Sequence, residues 1–311
     1  MIIYLLTRIG NAVVVLMMMT IVVFALARIT GDPTDQLLPV DATAEDRARI
    51  AAVWGLDRPL HVQYFSFVSN ALRGDFGTSL KWRGADALEL VLQRLGATLE
   101  LAGAALLFST LVSVPIGVIS AAQKNSRFDA LGKMIALFGQ SVPHFWLGLV
   151  LMWIFAVQLG WLPTSGRGTW AHLIMPAVVI GWFHTAAMMR LIRSSMLESL
   201  DSEYVKLARI KGVPEWAVVW KHALRNAAIV PLTYFGIMLG TLMVGSIAIE
   251  TVFSWPGAGQ LVVDAIRARD FPVVQAVVLA FATIFIVTNL AIDILYGYLD
   301  PRIRYGQAKR R

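Results

Sequence analysis

Few residues of this 311-residue sequence have the type and spacing that chemistry requires. There is no cysteine, which excludes disulfides, thiolate metal sites and a cysteine nucleophile. The five histidines include no pair at i and i+4, so we expect no metal site built by this chain. The motifs G-x-x-x-x-G-K-[ST], H-E-x-x-H and G-x-S-x-G are all missing. We therefore predict no catalytic residue and no cofactor bound by this chain.

The composition indicates a membrane protein. Hydrophobic residues make up 57% of the chain, charged residues only 15%, and the mean hydropathy is +0.66. An ordinary soluble domain is roughly 45–50% apolar. The net charge of +7 fits the orientation of a protein in a bilayer, because no platform of aromatic and basic residues lies outside the apolar runs. Nucleic acid is therefore not an expected partner.

Six apolar stretches are long enough to cross the hydrocarbon core, which takes about 20 residues. They are residues 9–27, 101–122, 134–159, 172–189, 227–249 and 271–299. The first run is longer than the h-region of a signal peptide, so despite the possible cleavage site Ala25-Leu26-Ala27 we predict a retained anchor. Prolines inside these spans should kink or break their helices, namely Pro115, Pro143, Pro176 and Pro231. The sequence predicts an all-α polytopic protein with six transmembrane helices.

The basic residues of the short loops predict the orientation. They concentrate in residues 123–133, in residues 190–226 and in the tail 300–311, whereas the short loops on the opposite side hold only Arg167, Arg267 and Arg269. Both termini are therefore predicted to be cytoplasmic. The chain then divides as follows: a first helix (1–28), a small extracytoplasmic region (29–100), a core of five transmembrane helices (101–299) with a cytoplasmic loop (190–226), and a basic tail (300–311). Within the extracytoplasmic region, residues 43–54 and 61–72 are predicted to be helical, with Thr43 as an N-cap.

Ionisable residues inside the spans are few: Asp293, His144 and His184. We expect Asp293 to be structural and His144 to bond backbone groups that the Pro143 kink frees. Glu250 stands near the end of a span and is expected to reach the interface.

The cytoplasmic loop contains the stretch EYVKLARIKGVPEWAVVWKHALRN, residues 203–226. Gly212 stands where a helix end favours positive φ, and Pro214 stands where a second helix begins. In that second helix an apolar stripe is predicted, formed by Trp216, Val219, Trp220, Ala223 and Leu224. On physical grounds alone, the stripe fits either a helix lying in anionic headgroups or a docking element for a soluble partner.

The same loop resembles the conserved cytoplasmic loop of ABC importer permeases, in the form found in the dipeptide/oligopeptide/nickel subfamily. The resemblance rests on Tyr204-Val205, on Ala208-Arg209-x-Lys211-Gly212 and on residues 222–227, HALRNA. It extends along nearly the whole chain through GDP (31–33), GLDRPL (55–60), GDFGTS (74–79), TLEL (98–101), SVP (141–143), ETVFSWPG (250–257) and LDPR (299–302).

The resemblance implies a type I importer permease of the bacterial inner membrane that works by alternating access. It implies a second, similar permease subunit, one or two cytoplasmic ATPase subunits that bind ATP and Mg²⁺, and an extracytoplasmic binding protein, with a dipeptide, oligopeptide, glutathione-like compound or nickel chelate as cargo. The residues it assigns to ATPase coupling are Glu203, Tyr204, Lys206, Leu207, Ala208, Arg209, Lys211, Gly212 and Trp216.

Two further groups of residues each have two possible roles. The loop of Phe253, Ser254, Trp255, Pro256 and Gly257 is either an interfacial loop anchored by Trp255 or, by the resemblance, a gate facing the binding protein.

Small residues that let helices approach closely are the second group: Gly236, Gly240 and Gly245. They serve packing either within this subunit or against the partner permease along the pathway.

Two other classes of protein compete with this interpretation. An ion-coupled secondary transporter would show inverted repeats and intramembrane acids, and an intramembrane protease would need a Ser-His or paired-Asp site at membrane depth. The sequence shows no repeat and few such acids.

We predict that Gly212→Pro leaves membrane insertion intact and abolishes transport, because proline cannot adopt the positive φ of the turn. The amount of protein in the membrane fraction and the uptake of cargo are the two measurements. Normal uptake by a correctly inserted variant would argue against the coupling role.

Overall fold

The computed structural model describes residues 2–29, 43–53, 55–82 and 84–299. Across these ranges the regular structure is helical, apart from one antiparallel bridge between Thr78 and Asp86. The all-α prediction is confirmed. The GDP motif at 31–33 and the tail 300–311 lie outside the described residues, as does the side chain of Asp293.

The helices, in chain order, are α1 (Ile2–Ile29), α2 (Ala44–Val53), α3 (Leu60–Leu72), α4 (Ala87–Ala122), α5 (Arg127–Ser141), α6 (His144–Leu151), α7 (Trp170–Leu200), α8 (Glu203–Ile210), α9 (Glu215–Ala217), α10 (Leu224–Ala227), α11 (Ile229–Val252), α12 (Ala258–Arg267) and α13 (Phe271–Leu299). Two π-helical segments complete them: Met152–Gln158 extends α6, and Val218–Ala223 joins α9 to α10. Helices α2 and α3 are the two predicted in the region after the first span. Thr43 accepts a hydrogen bond from the Asp46 N–H, which confirms the predicted N-cap.

Four of the described helices are long and apolar enough to cross a membrane unaided: α1, α4, α7 and α13. Two bent pairs raise the number to six: α5 with α6 and its π-helical extension, bent by 105°, and the helix of residues 215–227 with α11, bent by 49°. By length and composition the described helices therefore allow up to six crossings, and the predicted fifth span, 227–249, corresponds to the α11 arm of the second pair and not to residues 215–226.

Proline explains the sharper bend. The third span, predicted over residues 134–159, begins at Arg127 and breaks at Val142 and Pro143, where Pro143 precedes α6. Proline lacks an N–H and disfavours helical geometry in the residue before it. Pro115 and Pro176 lie inside helices that continue through them, so neither of these prolines breaks its helix, and a kink at these positions stays a prediction.

Helices α4 and α7 form the centre of the bundle and approach closely through glycine. A Cβ on Gly117 of α4 would lie 3.0 Å from the Met189 carbonyl oxygen of α7, and one on Gly181 of α7 would lie 2.7 Å from the Ala105 carbonyl oxygen of α4. These two helices therefore pack backbone to backbone. Helix α1 lies against α13 and contacts α3 through a Thr20–Tyr64 hydrogen bond of 2.9 Å.

Glycine also sets the contact between α11 and α13. A Cβ on Gly236 would meet Ile292 at 2.6 Å, and one on Gly240 would overlap the Phe285 ring. These two glycines therefore pack within the subunit. Gly245 has no atom within 4 Å of its Cβ position, so contact with a partner permease stays a prediction for that residue.

We expect Gly240→Leu to lower the thermal stability of the purified chain in detergent by about 1–3 kcal/mol or more, because its side chain has no room beside Phe285. Gly245→Leu is the matched control on the same helix and should change little. Equal melting temperatures for the two variants would contradict this packing.

Candidate functional sites

The chain between α7 and α11 folds back onto the end of α7. Val205 of α8 and Val218 and Ala223 of the π-helical segment are buried. They form one apolar cluster with residues of α4 and α7, namely Val118, Ile192 and Met196. The Ser199 hydroxyl of α7 also donates to the Ala223 carbonyl at 2.9 Å. The loop therefore packs into the bundle through buried side chains and a hydrogen bond to α7.

Gly212 makes the turn between α8 and α9. Its φ is +76°, its N–H donates to the Arg209 carbonyl at 3.0 Å, and the Val213 N–H donates to the Ala208 carbonyl at 3.2 Å. These two bonds are the Schellman pattern that ends a helix. The predicted positive φ is confirmed, and Pro214 lies one position earlier than predicted, as the N-cap of α9.

The apolar stripe predicted for the second helix is wrong in part. Trp216 and Trp220 are 69% and 41% exposed, as a stripe offered to lipid or to a partner requires, whereas Val219 and Ala223 are buried within the subunit beside Ala217 and Val218. Within the π-helical turn of Val218–Ala223, i→i+5 bonding changes the angle between successive side chains and so displaces Trp220 from its α-helical position.

The loop exposes an apolar surface. We name as the docking surface five residues: Tyr204, Leu207, Ile210, Trp216 and Trp220. Ile210 has the largest exposed fraction of the five, at 82%. An exposed apolar patch of this kind marks an interaction site.

The two helices of the docking surface are held together by charge. Arg209 of α8 donates two hydrogen bonds to Glu215 of α9, at 2.7 and 3.2 Å. These bonds hold the pKa of the Glu215 carboxyl below its ordinary value. The residues predicted for ATPase coupling are all exposed except Ala208, which is half-buried, and all lie on this one loop.

On the opposite side of the bundle, the loop after α11 turns inward. Phe253 and Trp255 are 1% exposed, and Trp255 Nε1 donates to the Ala97 carbonyl of α4 at 2.9 Å. Gly257 is buried as well, whereas Ser254 is exposed. The burial of these aromatic side chains contradicts the interfacial anchor, whereas the gate facing the binding protein stays a prediction. Phe253 and Trp255 belong to the apolar core of the bundle.

Glu250 lies beneath this loop and explains its inward fold. The carboxylate is fully buried and accepts hydrogen bonds from the Thr98 hydroxyl at 2.8 Å, the Ser246 hydroxyl at 3.0 Å and the Gln260 N–H at 2.9 Å. The Thr98 oxygen in turn accepts from the Ala258 N–H at 2.9 Å. Together the two side chains cap the start of α12. The expectation that Glu250 reaches the interface is wrong.

A second buried carboxylate holds the other end of α12. Asp270 follows that helix, and its Oδ2 accepts hydrogen bonds from the Ser79 hydroxyl and from the N–H groups of Leu80 and Lys81 at 3.1 and 3.0 Å. This contact joins the GDFGTS segment to the start of α13. The burial of Asp270 was not predicted, since an aspartate between two helices is ordinarily solvated.

A third buried carboxylate, Asp129, lies at the other end of the bundle. It accepts from Arg193 Nε at 2.6 Å and Nη2 at 2.9 Å, and from the Ser120 hydroxyl at 2.5 Å. Lys133 lies 2.9 Å away. Asp129 was missed as well, because an acid among the basic residues of a short loop is typical of an exposed ion pair.

Two histidines contact the same aromatic ring. The rings of His144 and His184 both pack edge-on against Phe183, at 5.0 and 5.5 Å. In the part of the chain that the structure describes, no group of three or more histidine, aspartate or glutamate residues is placed to hold a metal ion.

This bundle of single and bent helices with a folded loop is that of a membrane permease of the ABC importer class, as the following matches show. Residues 113–305 match the family of the binding-protein-dependent transport system inner membrane component, and residues 1–102 match its N-terminal membrane component. The chain belongs to this family.

Known relatives and a solved structure agree with this assignment. The chain is 41% identical to the glutathione transport system permease protein GsiC of Salmonella typhimurium, over 97% of this chain and 99% of the relative. It is 40% identical, at the same coverage, to the dipeptide transport system permease protein DppB of Alkalihalophilus pseudofirmus. The MetNI methionine ABC transporter, in inward-facing conformations, shares the fold, with a TM-score of 0.56 and 19% identity over 68% of this chain and 96% of that one.

These comparisons confirm the resemblance to the dipeptide/oligopeptide/nickel subfamily and the importer permease fold. The chain is the membrane permease subunit of a binding-protein-dependent ABC importer. Nothing in the comparisons supports an ion-coupled secondary transporter.

We expect Thr98→Val to destabilise the chain by about 1–3 kcal/mol, because it leaves Glu250 and the Ala258 N–H short of a partner. Thr110→Val on the same helix is the control, since the Thr110 hydroxyl bonds only the Leu106 carbonyl of its own helix. Thermal melting in detergent compares the two. A control as unstable as Thr98→Val would contradict the capping role.

Proposed function

We propose that this chain is one of two permease subunits of an importer that carries peptides or related small solutes across the bacterial inner membrane. The names of its relatives, for glutathione and for dipeptides, support a peptide-like cargo, and a nickel chelate is the further possibility that the subfamily resemblance suggests. A binding protein delivers the cargo to a cavity between this chain and a second, similar permease. The pathway then opens alternately to either side.

The docking surface carries the proposal. Its aliphatic and aromatic side chains would lose water in the cleft of a cytoplasmic ATPase subunit, which supplies the free energy of docking. The exposed cations beside it, Lys211, Lys221 and Arg225, would favour an acidic rim on that cleft. The ATPase subunits bind ATP and Mg²⁺ and hydrolyse the ATP. This chain contributes no catalytic group.

The orientation follows from the distribution of basic residues. Both termini and the docking surface lie in the cytoplasm, whereas α2, α3 and α12 lie on the outer side. The binding protein then meets the face from which Ser254 projects.

A helix lying in lipid headgroups is the competing role for the loop, because tryptophan and basic residues also suit an interface. The Arg209–Glu215 pair favours a protein partner, since it fixes the shape of the docking surface in advance and so lowers the entropy lost on binding.

We expect a cysteine at Ile210 to crosslink to an ATPase subunit in membranes that contain the assembled complex. The chain has no natural cysteine, so the introduced thiol is its only one. A cysteine at Leu111, 64% exposed on the apolar helix α4, is the control and should not reach the ATPase. Crosslinks from Ile210 to lipid alone would refute the proposal and support the interfacial role.

A further inference from the structure

Asp129 has partners on three helices. The aspartate is fully buried in the first turn of α5. Arg193 of α7 grips both carboxylate oxygens, Ser120 of α4 bonds one of them at 2.5 Å, and Lys133 of α5 lies 2.9 Å from the other. A bidentate pair between guanidinium and carboxylate is both strong and directional.

The remaining contacts between α5 and α7 are small and apolar. Ala136 is buried beside Ala186 and Met189. A Cβ added to Gly139 would lie 3.0 Å from Trp182 Nε1. Contacts of this kind allow close approach, but they resist sliding only weakly. Among the described contacts of α5 with α7, the Asp129–Arg193 pair is the one with charge and fixed geometry.

The pair lies at the level of the cytoplasmic loop. Arg193 adjoins Ile192, and Ser120 adjoins Ala121; both neighbours belong to the apolar cluster that holds Val205 of α8. The loop and Asp129 therefore contact the same stretch of α4 and α7. A displacement of the loop that moves these two helices is passed to α5 through Asp129.

We propose that Asp129 and Arg193 lock α5 to α4 and α7, so that movement of the docking surface reaches the 105° bend at Val142 and Pro143. The role is one of positioning, and it rests on the proposed function. Rigid units of this kind convert a small displacement at one end into a rearrangement at the other.

The first test uses the full complex, with the partner subunits encoded beside this chain, in proteoliposomes. We expect Asp129→Asn to lower the cargo transported per ATP hydrolysed by about tenfold, while hydrolysis stimulated by the binding protein continues. Arg193→Lys should have a smaller effect in the same direction, because lysine cannot form the bidentate pair. Arg190→Gln, at an exposed position one turn away, is the matched control and should leave the ratio unchanged.

The second test measures the lock directly. Spin labels on cysteines at the exposed positions Met134 of α5 and Ser194 of α7 report the distance between these helices. The distance should stay the same with and without ATP in the otherwise unchanged complex, and its distribution should broaden in Arg193→Lys. This variant keeps the positive charge, so it serves as the test should Asp129→Asn fail to fold.

The outcomes separate the two proposals. If the unchanged complex transports cargo but the variants keep its ratio of transport to hydrolysis, the lock is refuted and the proposed function stands. The same holds if transport and hydrolysis fall together in proportion to the assembled complex, since that indicates a structural role alone. If the unchanged complex shows no ATP-driven transport, the proposed function fails and the lock falls with it.

Discussion

A carboxylate removed from water is stabilised by hydrogen-bond donors, and contacts of this kind join distant elements at both ends of the bundle. Asp129, Glu250 and Asp270 are all fully buried. Each is met by groups from elements far apart in the chain: Arg193 for Asp129, Thr98 for Glu250, Ser79 for Asp270. Apolar helices in a membrane gain little specificity from burial alone, because lipid tails are as apolar as leucine. Directional bonds at the helix ends therefore fix which helices are neighbours.

The shape of the docking surface also depends on a few local contacts. Gly212 ends α8 at a positive φ, and the Arg209–Glu215 pair holds the next helix at a fixed angle. The buried side of the loop, around Val205 and Ala223, leaves the larger aromatic side chains outside. An apolar surface shaped in this way before binding suits a partner with a defined cleft.

The sequence was sufficient for the class of fold, since hydropathy and loop charge reflect the bilayer directly. The turn at Gly212 and the break at Pro143 were also predictable, because glycine and proline act through their own backbone limits. The orientation of Trp220 was not, because a π-helical turn leaves no periodic signal of its own. The inward fold of Trp255 and the positions of the three buried carboxylates depend on contacts between residues 64 to 190 positions apart in the chain. A local sequence pattern does not record such contacts. For Glu250 one signal was present: glycines at 257 and 259, where a Cβ would overlap its carboxylate.

The bend in the third crossing gives its two arms different neighbours. The first arm, α5, lies along α7 and begins at the Asp129 contact. The second arm, α6, packs against the far end of α11, where a Cβ on Gly148 would lie 3.1 Å from the Phe253 ring. Val142 and Pro143 thus connect a helix fixed at one end of the bundle, through Asp129, to a helix fixed at the opposite end, beside Phe253. In the third crossing, α5 and α6 can therefore change their relative tilt while the packing of each helix against its own neighbours stays intact.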